Sequence, residues 1–444
     1  MGLGLALAIA VGMALNASLL ALAASLGALA ISLVSPLVGV VVVTFTAPFP
    51  RPVVLPTPGL QVALLGAIML GLVLRLPLDR PKLTMPAPSV LMLGAFMLYA
   101  GMHLLGGLID GPASGRSYQI VQVYSQLLTG ALAFVAVSIA LRGRSPYAVL
   151  VVSLTAALLA AGLGLLDAQG THQLGRLMEP PPTDYGRITG PALDPNYYGS
   201  YLAAMITLSV ALVAVARSAK VKAALVATAV FVGLALVLTQ SRGAFLAVAA
   251  GMLTAAFTRG RRVGLLAVVA LAVAVMVGYP IFLAWRFGSG VDGGITTVAE
   301  TSGRLDTALP GLAMFAKSPL FGVGLGRYIE ESPIGLSSHN WYITVLAEMG
   351  IVGVVLWVLF LGSLAIGLRG TSSSARTVGY SVMATWMIAS VTLDVPAAYQ
   401  VTGPVLIVLA LALVARWPDR PPPLPSLRPI RARGGNVLLH EGRV

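Results

Sequence analysis

His339 occupies a position where an imidazole could act as a base. It lies in the segment 337–342 (SSHNWY), directly ahead of an apolar run long enough to be a membrane helix. Ser338 or Asn340 is a natural N-cap, so the spacing predicts His339 in the first turn, where the positive helix end keeps the ring neutral and able to accept a proton. It could instead be an interfacial histidine in an aromatic belt with the neighbouring tryptophan and tyrosine. The other histidines have weaker settings, at a span end, in a polar loop and in the tail: His103, His172 and His440.

Three arginines could bind phosphate. Arg242 lies in the tight turn 239–243 (TQSRG) between two apolar runs, where an uncompensated charge near lipid is costly, so an anionic partner is expected. Snorkelling of its side chain to water is the alternative. Arg187 and Arg304 lie in two longer polar segments, where each alone could be a solvated loop charge. Together the three guanidinium groups would supply forked donors that suit a phosphate.

Two further segments are interpreted mainly as structural. Asp194-Pro195-Asn196 predicts a turn followed by a capped helix, so Asp194 and Asn196, like Asn340, are expected to support a site rather than to do its chemistry. The segment 319–326 (PLFGVGLG) superficially resembles a dinucleotide-binding fingerprint, but no predicted strand precedes it. It predicts a flexible turn that brings a long loop back towards His339.

Motifs for metal binding are missing from the sequence. There is no cysteine, no paired-aspartate motif and no HExxH, and the acidic residues of the loops are scattered. We therefore expect metal-independent chemistry without a cofactor.

The elements that must position these residues are membrane helices. Of the 444 residues 57% are hydrophobic and 10% charged, whereas a soluble domain carries roughly a quarter charged residues. Past residues 1–46, which could cross a membrane once or twice, eleven apolar runs predict an all-α polytopic membrane protein. These runs lie near 59–75, 86–106, 120–141, 146–166, 196–215, 222–240, 243–258, 263–285, 347–367, 378–395 and 401–415.

Basic residues are concentrated in every second loop, and this pattern indicates how the helices are oriented across the membrane. The net charge is +13, and most basic residues fall in one set of alternate loops, which is expected to be cytoplasmic. The charge is therefore a topology signal and argues against nucleic acid as a partner. The predicted organisation is a helix bundle over 1–285 with an outer loop near 167–195, an outer loop region with short amphipathic helices over 286–346, helices over 347–415, and a disordered cytoplasmic tail over 416–444.

Taken in order, several motifs resemble the O-antigen ligase and polymerase superfamily over roughly residues 180–360. They are the segments 194–199, 241–243 and 319–326 together with Arg304, and His339-Asn340 followed by Gly350. Hydroxyl residues found next in some members are replaced here by Gly353 and Val354. The resemblance implies a bacterial inner-membrane protein with about 12 crossings, both termini cytoplasmic and the large loops in the periplasm. That count favours one net crossing for residues 1–46.

The resemblance also implies an activity. Members of this superfamily move a glycan from an undecaprenyl pyrophosphate carrier onto an acceptor at the periplasmic face, and for a ligase the acceptor is a sugar of the lipid A core. On this hypothesis His339 is the general base, and Arg187, Arg242 and Arg304 stabilise the departing pyrophosphate. No carboxylate stands out as a covalent nucleophile, so inversion at the anomeric carbon is expected.

Three other functions remain open at this stage. An O-antigen polymerase would use a second lipid-linked repeat as acceptor, and a protein O-oligosaccharyltransferase would use a protein. A transporter belongs to a different class and would be expected to show inverted repeats and ionisable residues at mid-depth. Neither is evident, because the charges cluster at span ends; Glu348 and Asp394 are the nearest exceptions.

Overall fold

The computed structural model describes residues 26–27, 30–31, 33–49, 65–71, 87–109, 116–166, 187–192, 194–287 and 306–417. Within these ranges every regular element is a helix. The helices are α1 (Pro36–Thr46), α2 (Ala87–Ile109), α3 (Arg116–Ala140), α4 (Tyr147–Leu166), α5 (Pro195–Val215), α6 (Ala219–Thr239), α7 (Arg242–Phe257), α8 (Arg261–Phe287), α9 (Tyr328–Glu331), α10 (Trp341–Arg369), α11 (Ser373–Thr392) and α12 (Tyr399–Val414). Residues 65–71 and 306–317 are also helical, and Gly190–Ala192 and Val395–Ala397 form short 3-10 turns.

Some sequence-based predictions lie outside the described residues. They concern Arg304, His172, most of residues 1–46, most of the predicted loop 167–195, and the tail beyond Trp417.

In the described part of the chain, six helices are long and apolar enough to cross a membrane, judged by length and composition. These spans are Pro88–Gly107, Ile120–Ala140, Tyr147–Leu166, Pro195–Val215, Ala219–Thr239 and Trp341–Arg369. α1, α7 and α12 are shorter apolar helices. The all-α, multi-pass prediction is thus supported for these residues, whereas the count of about 12 crossings stays a prediction.

The basic turns that the charge pattern groups together lie at one end of the bundle, which we call the basic end. It comprises the turns 141–146, 216–218, 258–260 and 370–372 and the residues 415–417. The amide of Gly143 donates to the carbonyl of Val414 at 2.9 Å, and the amide of Arg416 donates to the carbonyl of Arg144 at 2.8 Å. A cavity of about 910 Å³ at this end is lined by residues of α4, α5, α6, α8 and α11. The helices therefore alternate in direction as the loop charges predict.

The opposite end, which we call the loop end, carries the long connections. It comprises residues 187–194, 239–241, 306–340 and 393–398. Residues 306–317 form one of the short helices predicted for the long loop. Thr307 and Met314 are buried while Leu309 is 57% exposed. Leu309 therefore lies on the outer side of this helix.

α7 packs closely against its neighbours along its length. Gly243, Ala247, Gly251 and Ala255 recur every four residues and are buried, which is the small-residue spacing that lets membrane helices approach closely. α7 packs against α5 and α11. A Cβ added to Gly251 would collide with side chains on both neighbours, Thr207 and Thr385.

Candidate active site

Arg187 connects the first loop to the helices beside it. Its Nε donates to the carbonyl of Thr239 at 2.8 Å, and its Nη2 donates to Oδ1 of Asn196 at 2.8 Å. The next amide, that of Ile188, donates to the carbonyl of Leu238 at 3.2 Å. Arg187 therefore joins the end of α6 to the start of α5, a positioning role that the sequence did not predict for it.

Asp194 caps α5 as predicted. Its Oδ1 accepts hydrogen bonds from the amides of Asn196 and Tyr197, at 2.7 and 2.9 Å. Pro195 follows the cap in the first turn, where its missing N–H is no loss. Asp194 and Asn196 thus support the site through the geometry of this helix start.

Arg242 is the first residue of α7, immediately after a tight turn. The turn is possible because Gln240 ends α6 in the left-handed conformation, with φ of 52°. The N-cap residue Ser241 makes no side-chain hydrogen bond to the first turn of α7. Arg242 is half-buried, so its charge lies beside a helix N-terminus that lacks a side-chain cap.

His339 precedes the helix rather than lying in its first turn. Asn340 is the N-cap of α10, and its Oδ1 accepts from the amides of Tyr342 and Ile343 at 3.0 and 3.3 Å. His339 itself has φ of 51°, a conformation that few residues other than glycine adopt. The predicted first-turn position was wrong because Asn340, not Ser338, takes the cap, which places His339 just outside the helix. Such backbone strain is common at functional sites.

A buried carboxylate, Asp394, lies next to the histidine segment. Thr344 Oγ1 donates to Asp394 Oδ1 at 2.6 Å, and Ser338 Oγ lies 3.5 Å from the same oxygen. Burial raises the pKa of Asp394, while the hydrogen bond from Thr344 and the positive field of His339 oppose that shift. Asp394 and His339 therefore interact electrostatically.

Gly243 connects this carboxylate to the start of α7. A Cβ at Gly243 would collide with Thr392, which ends α11 two residues before Asp394. The Ser-Arg-Gly turn can therefore lie directly against the end of α11. Gly243 at the start of α7 and Asp394 near the histidine segment therefore lie in the same part of the loop end.

The glycine-rich segment 319–326 is held against a break in α10. The break lies at Gly350, with φ of 63° and ψ of −163°. It frees backbone groups of α10, and the segment pairs with them: the amides of Val323 and Gly324 donate to the carbonyls of Ala347 and Glu348, both at 2.9 Å. The segment forms turns as predicted, and these hydrogen bonds hold it along the helix.

Four more hydrogen bonds complete this arrangement. The amide of Ile351 donates to the carbonyl of Pro319 at 2.9 Å, and Tyr99 Oη donates to the carbonyl of Met349 at 2.9 Å. The buried carboxylate of Glu348 accepts from the amides of Gly326 and Tyr328, each at 2.8 Å. Backbone groups near the break therefore form hydrogen bonds with the loop and with Tyr99 in place of those that the helix loses.

A polar cavity of about 440 Å³ lies among these segments. Three carboxylates line it, those of Asp194, Glu348 and Asp394. Its other polar and aromatic lining residues include Gln122, Gln126, Tyr197, Tyr328, Trp341 and Gln400. Burial raises the pKa of Tyr328 to about 12, and its Oη donates to the carbonyl of Thr307 at 2.6 Å. The cavity is thus lined by hydrogen-bonding groups and aromatic rings.

The structure brings together six of the seven predicted site residues at the loop end. Arg187 and Asn196 are bonded, Asp194 and Asn340 are helix caps, Arg242 begins α7 and His339 precedes α10; Arg304 lies outside the described residues. Of those six, only Asp194 lines the 440 Å³ cavity.

Sequence reasoning treated Glu348 and Asp394 as boundary charges and missed their place in the site. For Asp394 a usable signal was its position two residues before Pro396, similar to the Asp-Pro start of α5; Glu348 lies two residues before Gly350. Among the described residues no group of three histidines or acids is arranged to hold a metal ion.

Two comparisons with known proteins bear on the candidate site. The comparison with curated proteins finds no match. Residues 227–358 match the family model described as O-Antigen ligase. That range includes Arg242, His339, the segment 319–326 and the break at Gly350. Over these residues the match confirms the resemblance to the O-antigen ligase and polymerase superfamily.

Proposed function

We propose that the protein is an O-antigen ligase, which transfers a glycan from undecaprenyl pyrophosphate to a sugar of the lipid A core at the periplasmic face of the inner membrane. The family match supports ligase or polymerase activity in general, and its description favours the ligase. One observation carries the proposal: Arg242 and His339, both inside the matched range, lie at the same end of the bundle, where Gly243 packs against Thr392 and Asp394 lies within electrostatic range of His339.

In this proposal the donor pyrophosphate binds at the start of α7. The N-terminus of a helix attracts anions, and Ser241 leaves the first turn without a side-chain cap. Arg242 adds a guanidinium there, and Arg187 supplies a second within reach of the same turn through its bond to Thr239. Arg304 is the third proposed donor. Fixed positive charges stabilise the negative charge that develops as the donor bond breaks, so this chemistry is proposed to be metal-independent.

His339 is the proposed general base. The acceptor hydroxyl gives its proton to the imidazole as its oxygen bonds to the anomeric carbon. The bond from that carbon to the pyrophosphate oxygen breaks, and its electron pair leaves with the lipid pyrophosphate. The imidazolium that forms is stabilised by the field of Asp394, the interaction already present between the two groups. A single displacement of this kind inverts the anomeric centre.

The 440 Å³ cavity is the proposed site for a sugar ring. Its size falls in the range of small-ligand sites, roughly 300–1,000 Å³. Gln126 Oε1 accepts from the amide of Tyr399 at 3.1 Å, which orients the amide group and leaves its N–H₂ for a ligand oxygen. Carboxylates and amides suit sugar hydroxyls, and the partly exposed ring of Tyr197 supplies an apolar surface for a sugar face.

Reconstitution of the purified full chain with a lipid-linked glycan and a lipid A core acceptor tests the proposal. The wild type should form the joined product, and His339→Ala should reduce the rate about 10²–10⁴-fold, the usual contribution of a general base. The matched control is His103→Ala, because that histidine packs edge-on against Tyr99 and lines a separate cavity.

Three outcomes would count against parts of the proposal. Near wild-type transfer by His339→Ala would remove the base. A protein that joins two lipid-linked repeats but leaves the core acceptor unused would be a polymerase. Failure of the folded wild type to join any donor to any acceptor would exclude a glycosyltransferase and leave the transporter class.

A further inference from the structure

The 910 Å³ cavity at the basic end is far from the candidate active site and is unused by the proposed chemistry. It opens between α4, α5 and α6, and it is bordered by the start of α8, the start of α11 and Trp417. The loop end is reached only at the other termini of α4, α5 and α6, helices of 20, 21 and 21 residues. At about 1.5 Å per residue, they separate the two sites by roughly 30 Å.

The charge of this cavity is of one sign. Arg217, Lys222 and Arg259 line it, and no aspartate or glutamate lies among its lining residues in the described part of the chain. The sequence has no acidic residue between Asp194 and Asp292. The described lining of the cavity is therefore basic, with three cationic side chains.

Below the cations the wall is apolar. Leu150, Val151, Leu154, Leu212 and Leu225 line it. Val151 is 62% exposed and Leu225 is buried, so the apolar wall extends from the surface of the bundle into its interior. Tyr147 and Trp417 lie at the same end, and such amphipathic rings are typical of the level of lipid headgroups.

We propose that this cavity binds one anionic glycerophospholipid, with the phosphate among Arg217, Lys222 and Arg259 and an acyl chain along the apolar wall. The cationic part of the cavity suits the phosphate of such a lipid, and the apolar wall suits its acyl chain. Basic pockets between membrane helices are a recognised setting for anionic headgroups, and each basic residue near the surface contributes roughly 1 kcal/mol. The proposal is independent of the glycosyltransferase assignment.

The test is lipid binding by the detergent-purified full chain, measured as a rise in Tm and as retained lipid in native mass spectrometry. Phosphatidylglycerol should bind saturably, phosphatidylcholine with the same acyl chains should bind much more weakly, and glycerol phosphate alone should have no effect. Lys222→Gln and Arg259→Gln should each weaken binding about fivefold, the factor that corresponds to roughly 1 kcal/mol.

Two further variants keep the result interpretable. Lys222→Arg retains the charge and should bind as the wild type does. Arg142→Gln removes a basic residue of the same end that does not line the cavity, so it should leave binding unchanged. Equal binding of the two phospholipids, an effect of glycerol phosphate alone, or loss of binding in Arg142→Gln equal to that in Lys222→Gln would each overturn the proposal.

Discussion

At the scale of single residues, the candidate site combines cationic and anionic side chains at one end of the bundle. Arg187 and Arg242 lie at the junction of α5, α6 and α7, while Asp394 lies buried beside the histidine segment. Arg187 uses two of its donors to hold the loop in place. Its removal would therefore perturb both structure and phosphate binding, whereas Arg242 offers the cleaner test.

Arg242→Ala should lower kcat about 10²–10³-fold, the usual cost of removing one donor that stabilises developing negative charge. The kcat of Arg242→Lys should lie between those of the wild type and Arg242→Ala, because an ammonium keeps the charge but loses the forked geometry. The assay is the reconstituted transfer reaction with varied donor concentration. Arg376→Ala, near the start of α11 at the basic end, is the control. Unchanged kcat and KM for donor in Arg242→Ala would show that phosphate is bound elsewhere.

Asp394 predicts a pH dependence of stability. Its pKa in the folded protein is raised above the ordinary 3.8, first of all by burial. A raised pKa means that the folded state favours the protonated form, so the stabilising contribution is complete below the ordinary value and is lost as pH rises through the folded pKa. As pH rises from the ordinary pKa to the folded pKa of Asp394, the Tm of the wild type should fall relative to that of Asp394→Asn. Above the folded pKa the difference in Tm should stay constant.

Thermal unfolding of both proteins in detergent between about pH 3 and pH 8 measures this difference. Thr344→Val is a useful companion, because loss of the 2.6 Å hydrogen bond should raise the pKa of Asp394 further and shift the loss of stability to higher pH. A wild type that gains stability over the asparagine variant as pH rises would mean that the pKa is lowered instead.

At the scale of elements, the break in α10 is what builds one wall of the cavity. Gly350 adopts φ of 63° and ψ of −163°, a combination that is essentially restricted to glycine. A Cβ there would collide with the carbonyl of Leu320, and one at Gly322 would collide with the backbone of Glu348. Both glycines are therefore needed for the segment 319–326 to lie along the helix.

Gly350→Ala should destabilise the protein by at least about 1–3 kcal/mol, the cost of such a backbone conformation, and should lower activity by displacing Glu348. Gly362→Ala is the matched control, because that glycine lies in the same helix with no atom near its missing Cβ. It should be neutral or slightly stabilising, since alanine favours a helix by roughly 0.5–1 kcal/mol. Thermal unfolding would contradict this account if both variants behaved alike.

At the scale of the whole molecule, the two ends differ in charge and in architecture. The basic end has short turns, whereas the loop end has the long connections and the candidate site. Loops rich in lysine and arginine remain on the cytoplasmic side. The proposed orientation therefore exposes the active site to the periplasm and the lipid cavity to the cytoplasmic leaflet.

Because the chain has no cysteine, single introduced cysteines can report this orientation. Ile334→Cys, at a position that is 47% exposed at the loop end, should react with a membrane-impermeant thiol reagent added to spheroplasts. Ala219→Cys, exposed at the basic end, should react only after permeabilisation. The reverse pattern would place the active site on the cytoplasmic side and exclude a periplasmic ligase.

Much of the architecture followed from the sequence because it rests on local chemistry. Apolar runs of about helical span length, the alternation of basic loops and the Asp-Pro start of α5 each depend on residues close together in the chain. The resemblance that the family match confirmed likewise came from the order of short motifs. Within the described residues, the positions of helices and of their capped starts were therefore largely predictable.

Only the tertiary structure decided which distant groups meet. Asp394 lies 55 residues beyond His339 and Glu348 bonds a segment 22 residues earlier in the chain, and nothing in local spacing distinguishes such acids from charges at a span end. The break at Gly350 is likewise invisible to apolar periodicity, because its hydrogen bonds are made by a loop and by Tyr99, 250 residues away from Met349. A buried carboxylate or a broken helix is stable only when remote partners satisfy it, so its presence is a property of packing and not of local sequence.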